Sequence, residues 1–108
     1  MAVSEMNFYE MSGGKAARGS ITITGAKTET IDVGFEIKHL IIGFNGGWVY
    51  DKDVSTTQYK YSNSTTWSTE NLLSTSGKSF CLYDVQDTYF KFYNAGSYVC
   101  YLEYIAIG

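Results

Sequence analysis

The chain has 108 residues, of which 44 % are hydrophobic and 17 % aromatic, and its net charge is −3. This length and hydrophobic content are typical of one folded domain and exclude a disordered chain. Only eight residues are Lys or Arg, so the basic face of proteins that bind nucleic acid or anionic membranes is missing, and neither partner is expected. Ten Tyr, eleven Gly and no Pro favour an all-β domain.

The first nineteen residues predict an arm and a linker ahead of a β domain spanning 20–108. The stretch SGGKAARGS at 12–20 is small and polar, as in flexible linkers. Neither a basic region nor a long apolar run of the signal-peptide type is present, so the protein is expected to be made in the cytoplasm. Four apolar side chains of the arm are predicted to bury against a partner: Met6, Phe8, Tyr9 and Met11.

Strand patterns begin at residue 20. Three segments alternate polar and apolar residues with a period of two: SITIT (20–24), ETIDV (29–33) and TQYKY (57–61). The run IKHLIIGF (37–44) is almost continuously apolar, which predicts a central strand covered on both faces. The turn Asn45-Gly46-Gly47 predicts a hairpin that joins this strand to WVY (48–50).

Three further strands are predicted near the end of the sequence: KSFCLYDV (78–85), TYFKFYN (88–94) and YVCYLEYIAI (98–107). The total of about eight short strands predicts an antiparallel β-sandwich or a jelly-roll-like fold. The last segment is apolar on both faces, so we expect it to be covered inside the sheet or by another subunit. Tyr104, Ile105 and Ile107 are therefore predicted to form an assembly interface.

Residues 51–77 are rich in Ser, Thr and Asn and predict one or two long loops of the kind that carry function. Trp67 lies in the middle of this segment, and Tyr59 and Tyr61 precede it. Such aromatic side chains suit a protein interface or stacking against sugar rings. The alternative is that they complete a small aromatic core. Trp67, Tyr59 and Tyr61 are therefore the candidate ligand surface.

The sequence favours no catalytic, cofactor or metal site. His39 is the only histidine and lies within an apolar run, which indicates a structural residue, and no nucleophile or hydrolase motif accompanies it. Asp51 and Asp53 have oxygen ligands that Ca²⁺ accepts, but acidic residues at turns more often cap backbone donors. Cys81 and Cys100 match no metal motif. A disulfide between them stays open, with two buried thiols as the favoured alternative.

Two segments resemble virion proteins of tailed bacteriophages: IDVGFEIKHLIIGF (31–44) and YIAIG (104–108). They are similar to small β-sandwich modules on tail appendages and particle surfaces of phages of Gram-positive hosts. The resemblance covers about residues 19–108 and implies a terminal strand that closes the sheet. Tail-fibre tips of this kind follow a long trimeric stalk, whereas about twenty residues precede the sandwich here, so the comparison favours a head decoration protein.

The resemblance therefore implies a non-enzymatic virion protein that is displayed on the particle surface and docked through its arm. The expected partners are other virion proteins of the capsid or tail, and further copies of the chain, with a trimer favoured. The alternative is a tail-appendage module for host attachment that recognises cell-surface carbohydrate. It would use Trp67, Tyr59 and Tyr61.

Overall fold

The computed structural model of the protein describes residues 7–11, 14–54 and 56–108, with side chains from residue 15 onward except at position 56. Within these residues there are ten strands: β1 (Asn7–Met11), β2 (Gly14–Ile23), β3 (Lys27–Asp32), β4 (His39–Gly43), β5 (Trp48–Asp51), β6 (Thr56–Tyr59), β7 (Ser68–Glu70), β8 (Phe80–Gln86), β9 (Tyr89–Asn94) and β10 (Cys100–Ile107). No helix in this described part of the chain could span a bilayer.

The strands form two antiparallel sheets, which confirms the predicted all-β, two-sheet fold. The larger sheet has seven strands in the order β1-β2-β10-β4-β5-β6-β7, and the smaller has three in the order β3-β9-β8. Each of the predicted strand segments has a counterpart, and the hairpin at Asn45-Gly46-Gly47 joins β4 to β5 as predicted. Gly46 has φ +100°, and a Cβ there would overlap the carbonyl of Lys60, so this turn requires glycine.

The core lies between the inner faces of the two sheets. Its largest buried side chain is Trp48, whose ring meets Phe92 edge to face at 5.1 Å and Phe80 at 5.9 Å between ring centres. The indole Nε1 donates a hydrogen bond of 2.8 Å to the buried carboxylate of Glu70 on β7. Because each buried polar group of this pair has a partner, the indole adds its large apolar area to the core without an orphaned donor.

The last strand of the chain, β10, lies in the middle of the large sheet. It pairs with β2 along Cys100–Ile107 and with β4 over Glu103–Ile107. Alternate side chains therefore face the core and the outside, and the four inward ones are buried: Cys100, Leu102, Tyr104 and Ala106. From Glu103 onward the strand is thus paired at both of its hydrogen-bonding edges within its own sheet.

The predicted linker is wrong from Gly14 onward. Residues 14–23 form β2, and the boundary predicted between residues 19 and 20 falls inside this strand. The stretch GKAARG has few β-forming residues, but it lies between β1 and β10 and pairs with both. Tertiary pairing therefore overrides the weak local preference.

Four connections link the two sheets, and two of them carry contacts used below. Asn94, at the end of β9, is fully buried, and its side-chain amide donates to the carbonyls of Ile23 and Tyr98 and accepts from Gly96 N. The connection that follows it crosses from the small sheet to the large one, so β9 and β10 do not form a hairpin. The covering loop, residues 71–79, runs over the outside of β8, where Leu73 N donates to Tyr83 O.

Candidate functional site

The candidate docking surface is the outer face of the seven-stranded sheet, the face directed away from the core. Cross-strand pairing brings Ile105 on β10 beside Ile41 on β4, and Ile41 beside Val49 on β5. These three side chains, called the apolar row below, are 39, 46 and 38 % exposed. Branched aliphatic side chains in the centre of a sheet are normally covered, so the row is a candidate contact with another molecule.

A depression of about 410 Å³ adjoins the apolar row. It is open where Gly43 contributes no side chain, and Arg18 and Glu103 line it with opposite charges. Ile41 and Ile105 of the row form part of its wall. The depression thus combines aliphatic area with one cation and one anion.

The structure places the residues of the predicted C-terminal interface on two opposite faces of β10. Tyr104 is 4 % exposed and packs edge to face against Phe90 at 5.2 Å in the core, so its prediction as an interface residue is wrong. Ile105 faces outward in the apolar row, and Ile107 is half-buried in the same outward register. The reason is the strand period of two, which sends neighbouring residues to opposite faces.

The prediction that the strand at 37–44 is covered on both faces is also wrong. Leu40 and Ile42 are buried, whereas Ile41 is exposed. The apolar run did not distinguish a strand buried on both faces from one with apolar residues exposed on its outer face.

The arm forms β1 and pairs with β2 at the edge of the large sheet. Met6 lies outside the described residues. For Phe8, Tyr9 and Met11 the backbone alone is described, so the burial of their side chains against a partner stays a prediction.

The three aromatic residues of the predicted ligand surface do not form one platform. Trp67 is 45 % exposed, and Lys60 Nζ lies 5.4 Å from the centre of its ring. Tyr59 and Tyr61 are half-buried against the core and contact each other edge to face at 5.1 Å. Within the described residues no ring contact joins Trp67 to either tyrosine.

Tyr61 instead lines an aromatic groove of about 480 Å³ at the loop end of the sandwich. The floor of this groove is Phe80, and the rings of Phe44, Tyr61 and Tyr98 meet Phe80 edge to face at 4.9, 6.2 and 5.7 Å. Asn45 and Ser79 add polar groups to its lining. Ring faces with a few polar side chains suit a small cyclic ligand such as a sugar. Sequence reasoning missed this groove because its residues come from four separate loops or strand ends.

The hairpin of β4 and β5 brings His39 beside Asp51 and Asp53. His39 pairs with Asp51 in the strand register, and potential ligand atoms of the three side chains lie within 4.8 Å of one another. The sequence analysis treated the histidine and the aspartates separately. A hairpin centred on Asn45 makes residue 39 the partner of residue 51, so the predicted turn already implied that His39 and Asp51 lie side by side.

The two cysteines are free, buried thiols in different environments. Cys100 lies in the core between the sheets. Cys81 lies under the covering loop, where its Sγ–H donates to the carbonyl of Ser74 at 3.7 Å. Burial, and to a smaller extent the nearby carboxylate of Glu70, raise the pKa of Cys81 to about 11, although Lys78 acts in the opposite direction. A thiol with so high a pKa is a poor nucleophile at neutral pH.

Comparison with known proteins adds no relative to these observations. No protein-family model matches the chain, and neither the curated proteins nor the solved structures include a significant match to it.

Proposed function

We propose that this protein is a non-enzymatic structural protein of a bacteriophage or phage-tail-like particle. It docks on the particle surface through the outer face of its large sheet, with head decoration as the favoured position. The observation that carries the proposal is the apolar row of Ile105, Ile41 and Val49, which lies exposed at the centre of the sheet. Covering such a row removes aliphatic area from water and so favours association.

The arm supports the same role. Within the described residues β1 is an edge strand with one neighbour, β2, and such an edge can add to a neighbouring sheet. Pairing at this edge with a further copy of the chain would give the homo-oligomer, with a trimer favoured by the resemblance described above.

The location is tested by gold-labelled antibody against the protein, imaged on purified particles from the producing cells. Label over the head supports decoration, and label at the far end of the tail supports the receptor-binding alternative. Particles without label would contradict the virion assignment.

The docking face is tested by Ile41→Asp, which we expect to abolish incorporation while the domain stays folded. The matched control is Thr30→Asp, which adds the same charge to an exposed position on the smaller sheet and should leave incorporation unchanged. Equal incorporation of both variants would remove the apolar row from the proposal.

The second candidate function is a receptor-binding module for host carbohydrate, and the aromatic groove favours it. Tyr98 is 56 % exposed at the mouth of the groove, so Tyr98→Ala removes a ring face without opening the core. On a glycan array we expect this variant to lose binding and Trp67→Ala to retain it. The opposite result would return the site to Trp67, and no binding by the wild type would exclude this candidate.

A further inference from the structure

The one histidine of the chain and two aspartates meet at one end of the β4–β5 hairpin. His39 and Asp51 face outward as cross-strand partners, and Asp53 follows two residues after Asp51. The potential ligand atoms of the three side chains lie within 4.8 Å of one another. The side chains of His39 and Asp51 are 44 and 37 % exposed, so an ion has access from solvent.

The separation of His39 from Asp51 fits a shared ion better than a direct bond. His39 Nδ1 and Asp51 Oδ1 are 3.6 Å apart, which is too long for a hydrogen bond. Two ligands of a tetrahedral ion with bonds of about 2.1 Å lie about 3.4 Å apart. Asp53 offers a third potential ligand atom within 4.8 Å of the other two.

The backbone around the cluster is held in place. Lys52 N donates to the carbonyl of Lys38 at 2.8 Å, which ties the end of β5 to the residue before His39. Asp53 N donates to Asp51 Oδ1 at 2.9 Å. Little backbone freedom would therefore be lost on binding, and a preformed set of ligands binds more tightly than a flexible one.

We propose that His39, Asp51 and Asp53 bind one divalent transition-metal ion of the zinc class. The imidazole nitrogen selects against Ca²⁺ and Mg²⁺, which take oxygen ligands, and the two carboxylates supply the negative charge. Three protein ligands leave a coordination position open toward the outer face, where water or a group from another molecule binds. The proposal stands apart from the virion assignment, since it concerns the isolated chain.

The test uses full-length protein without a histidine tag, treated with chelator and titrated with Zn²⁺ by calorimetry and with Co²⁺ by visible absorption. We expect one equivalent of each to bind. Because His39 is the only histidine, its imidazole proton signals in NMR report the site directly, and they should shift or broaden in proportion to the added ion. Unchanged imidazole signals at saturating Zn²⁺ would overturn the proposal without any variant.

Two variants assign the ligands. Asp51→Asn keeps the oxygen that accepts from Asp53 N but loses the charge, and His39→Ala removes the nitrogen. Each should weaken Zn²⁺ binding by about tenfold or more. The matched control is Asp32→Asn, because Asp32 Oδ1 accepts from Gly34 N in a similar turn but has Tyr89 as its cross-strand partner. Binding that survives in His39→Ala, or that is equally tight for Ca²⁺, would contradict the assignment.

Discussion

The two sheets differ in what their outer faces present to water. On the smaller sheet, β9 directs Tyr89, Lys91 and Tyr93 outward, and Lys91 Nζ lies 5.8 Å from the centre of the Tyr89 ring. On the larger sheet, the corresponding central positions are Ile105, Ile41 and Val49. Side chains with an apolar body and a polar end keep the polar end in water, whereas three adjoining aliphatic ones leave apolar area in water.

The smaller sheet is also protected by its own chain. The covering loop passes over β8 and buries Cys81, and Lys78 in this loop lies 3.4 Å from the Glu70 carboxylate on β7. Among the described residues no segment covers the apolar row in this way. The difference teaches that the outer face of the smaller sheet is partly closed by intramolecular packing, whereas the apolar row of the larger sheet stays exposed among the described residues.

The largest loss of stability is expected when a ring is removed from the buried inner face of the smaller sheet. Phe92→Ala removes an inward ring of β9 that packs against Trp48, and we expect the free energy of unfolding to fall by about 3–5 kcal/mol. Urea denaturation followed by tryptophan fluorescence measures it. Lys91→Ala, the outward neighbour, should cost less than about 1 kcal/mol. Similar losses in both variants would mean that the inner and outer faces of this sheet are not distinct.

The burial of Cys81 on the smaller sheet predicts that the free energy of unfolding depends on pH. Because burial raises the pKa of Cys81 from 9.0 to about 11, the folded state holds the thiol proton more tightly than the unfolded chain does. The free energy of unfolding should therefore fall between about pH 9 and pH 11, by about 2–3 kcal/mol from this group.

Tyrosines contribute to the same alkaline loss, since burial also raises the pKa values of Tyr61 and Tyr104. The contribution of the thiol is isolated by comparing the wild type with Cys81→Ala in denaturant titrations across this range. The slope against pH should be shallower in the variant. Equal slopes would indicate that the covering loop does not keep the thiol from water.

A smaller effect is expected at the anchor of the covering loop. Glu70→Gln keeps an oxygen that can accept from Trp48 Nε1 but loses the charge that faces Lys78. We expect stability to fall by about 1–2 kcal/mol. Labelling of Cys81 by a thiol reagent in native conditions should become faster, because the loop opens more often and because the thiol loses a nearby carboxylate that raises its pKa. The control is Thr69→Ala, at the exposed neighbouring position. Unchanged labelling in Glu70→Gln would mean that the ion pair with Lys78 does not hold the covering loop closed.

The smallest effect is expected on the uncovered face. Ile41→Thr should change the stability of the free chain by less than about 0.5 kcal/mol, because the side chain is already half in water and threonine keeps the β-branched shape. Thermal unfolding in dilute solution measures it. A loss of about 2 kcal/mol or more would contradict the comparison, since it would mean that the protein itself covers the apolar row.

Local patterns predicted most of the fold, because alternation and turn residues are properties of short segments. They missed β7, whose three residues Ser68–Glu70 carry no apolar alternation, and they treated Gly14–Ser20 as a linker although β10 pairs with it. Which face of β4 meets the core depends on the partner sheet, so the exposure of Ile41 was not predicted. The cross-strand pairing of His39 with Asp51 could have been predicted from the sequence, because it follows from a hairpin centred on Asn45.

The central position of β10 also governs how the protein folds. Its partners are β2, about eighty residues earlier in the chain, and β4, so until residues 100–107 have been synthesised the large sheet consists of two unjoined pieces. Both pieces then expose open edges at β2 and β4, which are sites for mispairing with other chains. Closing such distant contacts is slow. The yield of folded protein should thus depend on synthesis rate and concentration more than its final stability suggests.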